Sequence, residues 1–162
     1  LGDRQWSPNQ EAYERLLTWW PDIARGIDGA ELRIVGSRGP GRTVPLPPGV
    51  EYLGFVDDLD GFLATSRAMI APIVTGGGVR VKILDAASRG MPVVGTTAAV
   101  GSLGPVLGID GIDDRHEFVQ RCRRYLLDRS AAVVDGDALY RTNADRWNGG
   151  ASHRAVQEWL AP

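Results

Sequence analysis

The sequence is poor in the residues that form disulfides and metal sites. It has a single cysteine, Cys122, and two histidines, His116 and His153, among 162 residues. One cysteine excludes an internal disulfide, and two widely separated histidines do not predict a metal site. A chain with a single thiol fits a reducing compartment, so the expected location is the cytoplasm.

Long apolar runs and a large charge imbalance are absent as well. No stretch approaches the roughly 20 apolar residues that cross a bilayer, and the first residues lack a signal-peptide pattern. The formal net charge of −2 gives no electrostatic reason to expect nucleic acid or an anionic membrane as a partner. The length suits one domain over residues 1–162. Because the chain begins at Leu1 without an initiator methionine, we expect a fragment of a longer protein.

Glycine, by contrast, is abundant, and helix and strand patterns alternate along the chain. The 21 glycines favour a fold with many strand-to-helix turns. The patterns predict strands over residues 31–35, 50–55, 68–73 and 92–95, and helices over residues 7–20, 57–66, 131–147 and 152–160 together with those described below. This alternation predicts an α/β fold in which a parallel sheet carries helices on both faces.

Several of these helices have recognisable terminal signals. Ser7 is predicted to cap the first helix, with Gln10 completing a capping box, and Pro21 is predicted to kink or end it. Asp57 is predicted to cap the helix that follows the second strand.

A later helix carries an apolar stripe. Asp113 or Asp114 is predicted to cap it. The stripe consists of Phe118, Val119, Cys122, Tyr125 and Leu126. The position of Cys122 in the stripe predicts that its thiol is buried and inert. The alternative is an exposed thiol whose pKa is lowered by the arginines that flank it in the sequence.

Residues 71–96 are the most informative about function. A short strand is followed by Gly76, Gly77 and Gly78, a helix with Lys82 and Asp85, and a second strand. Glycines at such a turn let backbone amides approach an anion at the helix N-terminus. The two charged residues share one helix face and lean toward the glycines. A cation, a carboxylate and bare amides together suit a sugar nucleotide.

Plainer alternatives exist for the same residues. The glycine turn could bind nothing, and the helix face could simply be solvated, with Asp85 paired to Arg89 one turn later. Arg80 could contact phosphate or only face water.

Most of the chain also resembles a known family of enzymes. The shared motifs, in the family's order over roughly residues 2–130, are Trp6-x-Pro8-Asn9, a strand ending at Gly36, Gly54-Phe55-Val56-Asp57, Pro72 before the glycines, Lys82, Leu84-Asp85-Ala86 and Gly90-x-Pro92-Val93-Val94. This ordered set resembles the donor-binding half of retaining glycosyltransferases of the GT-B type, called group 1 or family 4. The resemblance implies a Rossmann-like domain that forms one half of a GT-B enzyme.

The resemblance also implies an activity. The whole enzyme would be a hexosyltransferase that moves a sugar from a nucleoside diphosphate sugar, such as a UDP or GDP sugar, to an acceptor hydroxyl with retention. It would need no tightly bound cofactor or metal. The missing N-terminal domain would be the partner that supplies the acceptor site, the catalytic histidine and any peripheral membrane contact. This C-terminal fragment would hold no catalytic residue and would be inactive alone.

By the same resemblance, individual residues receive roles in donor binding. The amides of the glycine turn, with Lys82 and Arg80, would contact the diphosphate, and Asp85 would hold ribose hydroxyls. The edge of the nucleobase would be contacted by Phe55, Val56 and Leu59. The backbone at this position does the binding in the family, so a core position for the side chain of Phe55 is compatible with the role.

The sequence departs from the family pattern at three places. The family usually has two glutamates separated by seven residues, where this chain has Gly77 and Asp85. Only Leu103 remains of a Gly-x-Glu-Gly-Leu motif at residues 99–103. Two alternative functions therefore stay open: a degenerate, non-catalytic nucleotide-binding or interaction module, and part of a sugar-nucleotide epimerase.

Overall fold

The computed structural model describes residues 1–39, 45–76 and 80–148. The helix predicted over residues 152–160 lies outside these ranges. The elements, in chain order, are α1 (Ser7–Ala24), β1 (Leu32–Val35), β2 (Val50–Gly54), α2 (Leu59–Ala64), β3 (Met69–Ala71), α3 (Val81–Ser88), β4 (Val93–Gly95), α4 (Thr97–Val100), α5 (Leu103–Leu107), α6 (Arg115–Leu127) and α7 (Arg129–Asn148). Among the described residues, no helix is both long enough and apolar enough to span a bilayer.

The strands form two parallel pairs. β1 pairs with β2, with Leu32 opposite Val50, and β3 pairs with β4, with Met69 opposite Val93. The predicted parallel arrangement is confirmed, although the strands are shorter than predicted. The turn at Gly54, which has a φ of +74°, therefore lies at the carboxyl end of β2. The turn after β3 lies at the carboxyl end of that strand.

Helices cover both faces of the strands. Neighbouring residues of β4 enter different apolar clusters, because strand side chains alternate between faces. Val93 packs in a cluster with Leu63 and Ile83 of α2 and α3. Val94, fully buried, packs in a second cluster with Trp20 of α1 and Phe118 of α6. The predicted Rossmann-like α/β fold, with helices on both faces, is confirmed.

Helix α1 differs from its prediction at both ends. Trp6 occupies the N-cap position without a side-chain cap, and Ser7 instead donates a hydrogen bond to Glu11 (2.9 Å), so no capping box forms. The helix also continues through Pro21 to Ala24. A helix-interior proline costs about 3 kcal/mol, and the flanking burial of Trp20 and Ile23, at 1% and 0% exposure, offsets it.

Hydrogen bonds from backbone amides to carboxylates show which aspartate caps α2 and which caps α6. Asp58, and not Asp57, caps α2, since its carboxylate accepts a bond from the Gly61 amide at 2.9 Å. The helix then ends at Ala64, two residues earlier than predicted. Of the two candidates for α6, Asp114 is the cap, accepting from the Glu117 amide at 2.9 Å.

Four of the five stripe residues of α6 are buried, and the fifth, Leu126, is half-buried. Cys122 is 3% exposed, and burial raises the pKa of its thiol to about 12. The alternative of a reactive, arginine-activated thiol is wrong. The neighbouring Arg123 is directed elsewhere, because its guanidinium donates to the carbonyls of Ile23 and Arg25 at the end of α1 (2.9 and 2.8 Å).

Candidate functional site

The turn after β3 is fastened to helix α1. Arg15 of α1 donates to the carbonyl of Pro72 at 2.9 Å. Gly76 lies directly against Trp6, where an added Cβ would come within 2.9 Å of the indole ring. Its φ of +117° is a conformation that favours glycine. Glycine is therefore required at residue 76 for both backbone conformation and space. The other two predicted glycines, Gly77 and Gly78, lie outside the described residues.

Lys82 lies in the first turn of α3 and points toward the start of α1. Its ammonium group donates to Oδ1 of Asn9 at 2.8 Å, and Nδ2 of Asn9 donates to the Asp3 carbonyl at 2.8 Å. The adjoining Gly2 amide bonds to the carbonyl of Val35, the last residue of β1 (3.1 Å). These bonds place the Lys82 ammonium near the carboxyl end of β1, where ligand crevices of open α/β sheets occur.

The surroundings of Lys82 are electrostatically unfavourable for a cation. Burial lowers the pKa of its ammonium group, and the positive charge of Arg80 lowers that pKa further. None of the ion pairs within residues 1–39, 45–76 and 80–148 includes Lys82. An amide oxygen orients the ammonium without neutralising it. The site is therefore suited to receive an anion.

Arg80 joins the turn after β3 to the segment after β4. Its guanidinium donates to the carbonyls of Ala98 (2.8 Å) and Gly76 (3.2 Å). The alternative in which this side chain only faces water is wrong, because these bonds hold it between two backbone segments. A side chain at Gly101 would come within 3.0 Å of the guanidinium, so a glycine leaves space for Arg80 at this point.

Asp85 lies one turn further along α3 and has different partners. Its side chain is 37% exposed, and its carboxylate is 3.5 Å from Arg89. Arg89 is bonded more closely to Asp60 of α2 (2.7 Å). That bond is the main cause of the raised pKa of Arg89. The alternative pairing of Asp85 with Arg89 is thus present, but as a long contact within a group of three charges that connects α3 to α2.

The predicted base-binding residues follow β2. Phe55 is 82% exposed, so the proposal that its side chain belongs to the core is wrong. Val56 is half-buried, and Leu59 begins α2 and packs against the cluster that contains Ile83. The exposed aromatic ring of Phe55, close in sequence to the half-buried Val56 and the packed Leu59, is available for stacking or for contact with another surface.

Asn9 is the site residue that the sequence interpretation missed. It belongs to the Trp6-x-Pro8-Asn9 motif, but the sequence alone predicts no role for this residue. Its position gave a signal, because residue 9 lies in the first turn of α1, and helix N-termini bind anions. Its contact with Lys82 joins residues that are 73 positions apart.

The structure is an α/β domain in which Lys82, at the start of α3, bonds to Asn9 at the start of α1. Comparison with protein families gives a more specific result. The model of the family described as glycosyl transferases group 1 matches residues 2–128. Because the match covers well over half of the chain, the protein belongs to this glycosyltransferase family. No curated protein and no solved structure gives a significant match.

Proposed function

We propose that residues 1–162 form the C-terminal, donor-binding domain of a retaining GT-B glycosyltransferase. The domain would bind a nucleoside diphosphate sugar, a UDP or GDP sugar in particular. The observation that carries the proposal is the Lys82 ammonium at the start of α3. Asn9 holds it at 2.8 Å, and it lies at the edge of the sheet where such ligands bind.

The reaction places negative charge where these cations lie. When the bond between the anomeric carbon and the diphosphate oxygen breaks, the leaving diphosphate takes the electron pair. Lys82 and the backbone amides at the start of α3 stabilise that charge, the type of term that usually dominates enzymatic rate enhancement. Arg80 adds positive potential and, through its bonds to Gly76 and Ala98, holds the turn in place.

The remaining residues of the proposed site bind the nucleoside. Asp85 is partly exposed and retains acceptor capacity for the ribose hydroxyls. The exposed ring of Phe55, with Val56 and Leu59, contacts the nucleobase. Gly77 and Gly78 belong to the same proposed site as donors of backbone amides.

Catalysis requires a second domain in this proposal. An N-terminal domain of the same enzyme supplies the acceptor site, the catalytic histidine and any peripheral contact with a membrane. The present chain then binds the donor but transfers no sugar by itself. The whole enzyme works in the cytoplasm as a hexosyltransferase, with no tightly bound cofactor or metal.

Calorimetric titration of the chain with UDP, GDP and ADP tests the donor site. A charge-assisted hydrogen bond contributes roughly 1.5 to 3 kcal/mol. We therefore expect Lys82→Ala to weaken binding of the preferred nucleotide by about ten- to a hundredfold. Arg141→Ala is the matched control, because it removes a 74% exposed cation of α7 that pairs with Asp137. Equal affinities of wild type and Lys82→Ala would show that Lys82 does not bind phosphate.

A non-catalytic nucleotide-binding or interaction module is the second candidate. The observation that favours it is the contact of Asp85 with Arg89, which is itself bonded to Asp60, since these bonds compete with a ribose. Sugar transfer or donor hydrolysis by the intact protein would exclude this candidate. Product analysis in the same assay separates a transferase from an epimerase, because only the epimerase returns a nucleotide bound to an inverted sugar.

A further inference from the structure

The side chain of Asn9 is the one acceptor that the Lys82 ammonium reaches among the described residues. Oδ1 of Asn9 lies 2.8 Å from the ammonium nitrogen, and the bond joins the first turn of α1 to the first turn of α3. A lysine ammonium is carried on a flexible stem with many rotamers. The bond to Asn9 therefore decides where this positive charge lies.

Asn9 is itself held on several sides. Its Nδ2 group donates to the Asp3 carbonyl at 2.8 Å, and its backbone amide donates to the Trp6 carbonyl at 3.0 Å. Gly2 packs against the side-chain amide, because an added Cβ there would come within 2.7 Å of Nδ2. A carbonyl on one side and an ammonium on the other also fix which amide atom is the oxygen. The acceptor that faces Lys82 is therefore preorganised.

A carboxylate at residue 9 would stabilise this part of the fold more than an amide does. Residue 9 is the third residue of α1, where a negative charge interacts favourably with the helix dipole. It also lies beside a cation in unfavourable surroundings, since burial and the charge of Arg80 lower the pKa of Lys82. The charge of Lys82 in turn lowers the pKa of the Leu1 amine. Aspartate has nearly the shape of asparagine and would pair with Lys82.

The acidic side chains of the same segments do not provide this negative charge. Each has another partner: those of Asp3, Glu11 and Asp85 contact Ser37, Thr75 and Arg89, respectively. The Lys82 ammonium is therefore oriented by a neutral group and has no counter-ion among residues 1–39, 45–76 and 80–148. A position that lacks an available stabilising charge is typical of a functional site.

We propose that Asn9 is a positioning residue of the donor site, which holds the Lys82 ammonium in place and leaves its charge available to an anionic diphosphate. The inference rests on the proposed function, because the diphosphate is the anion concerned. It adds the reason for an amide at residue 9: a carboxylate there would occupy the position of the counter-ion that the diphosphate takes. Stability and binding therefore make opposite demands on this residue.

Asn9→Asp separates these two demands. The free energy of unfolding in urea should be unchanged or raised, because the new carboxylate pairs with Lys82 and interacts with the helix dipole. Calorimetric titration with inorganic diphosphate and with UDP should show binding weakened by about ten- to a hundredfold, as for Lys82→Ala. Weaker binding together with a lower free energy of unfolding would mean that residue 9 only supports the fold, and would overturn the proposal.

Gln10→Glu is the matched control. It adds the same charge at the next residue of α1, on a side chain that is bonded to Glu14 at 2.8 Å and not to Lys82. The affinity of this variant for both ligands should differ from that of wild type by less than about threefold, because a solvated charge without contact to the ammonium is screened. Equal losses in Asn9→Asp and Gln10→Glu would show that only the net charge at the start of α1 matters, which would refute the role of Asn9.

Asn9→Ala tests whether Asn9 acts through Lys82. Alone, it should weaken diphosphate binding by about three- to tenfold, because the ammonium keeps its charge but loses its partner. Combined with Lys82→Ala, it should have no further effect, since the effects of residues in contact are not additive. The same loss in both backgrounds would contradict an action through Lys82. Asn9→Asp provides the answer if Asn9→Ala does not fold.

The outcomes also distinguish this inference from the proposed function. If Lys82→Ala weakens binding while Asn9→Asp and Asn9→Ala do not, the role of Asn9 is wrong and the donor site stands. If Lys82→Ala has no effect, or if neither diphosphate nor UDP binds to the wild-type chain, the donor site fails and the role of Asn9 fails with it.

Discussion

The buried amine of Leu1 predicts an unusual pH dependence of stability for the 162-residue chain. Burial lowers the pKa of this amine from 8.0 to about 6, and the charge of Lys82 contributes in the same direction. The unfolded chain therefore binds more protons than the folded chain between these two values. The free energy of unfolding must then rise as the pH increases through this range.

The size of the effect follows from the shift. Two pKa units correspond to about 2.7 kcal/mol, and most of that change, about 2.4 kcal/mol, falls between about pH 5.5 and pH 8.5. Below about pH 6 the amine is protonated in both states, and the cost of burying the charge is fully present. Above about pH 8 the amine is neutral in both states, and the cost disappears.

Urea denaturation of two matched chains measures this contribution. One chain has the natural amine on Leu1, and the other is acetylated there, so that its terminus cannot be charged. All other titrating groups are common to both chains and cancel in the difference. The difference in unfolding free energy should change by about 2 to 3 kcal/mol between about pH 5.5 and pH 8.5. A change below about 0.5 kcal/mol would show that the amine is solvated in the folded chain.

Further predictions concern the site and the core. Asp85→Asn should weaken UDP binding by about 1 to 3 kcal/mol, because an acceptor for the ribose hydroxyls is lost. Binding of inorganic diphosphate should stay unchanged or become slightly tighter, because the repulsion between the carboxylate and the diphosphate is removed. Equal shifts for both ligands in calorimetry would exclude the ribose role of Asp85. Ile83→Ala should lower the unfolding free energy by about 2 to 5 kcal/mol in urea titrations, because Ile83 is 0% exposed; a loss below about 1 kcal/mol would contradict the packing of α3. The Cys122 thiol, with its pKa raised to about 12, should react with a disulfide reagent at about pH 8 only after unfolding; fast reaction of the native chain would mean that α6 is packed differently.

The family and the architecture were predictable because their signals are local. The alternation of glycine turns, short apolar strands and amphipathic helices predicts parallel strands with helices on both faces, and the structure has this arrangement. The burial of Cys122 also followed from the spacing of its stripe. The ordered motifs indicated a group 1 glycosyltransferase, and the family match over residues 2–128 agrees.

Local signals were insufficient where distant residues decide the outcome. Pro21 normally ends a helix, but α1 continues because Trp20 and Ile23 are buried against other elements. The length of α1 therefore cannot be read from propensity alone, since tertiary packing overrides it. The choice of Asp58 over Asp57 as a cap is local but depends on the backbone conformation that brings one carboxylate to the Gly61 amide.

The partners that the site residues find on other helices were decided by the tertiary structure alone. Sequence spacing offered the contact of Asp85 with Arg89. It did not indicate that Lys82 bonds to Asn9 of α1 or that Arg89 bonds to Asp60 of α2. Such contacts depend on how helices are oriented across the sheet, which no local pattern specifies.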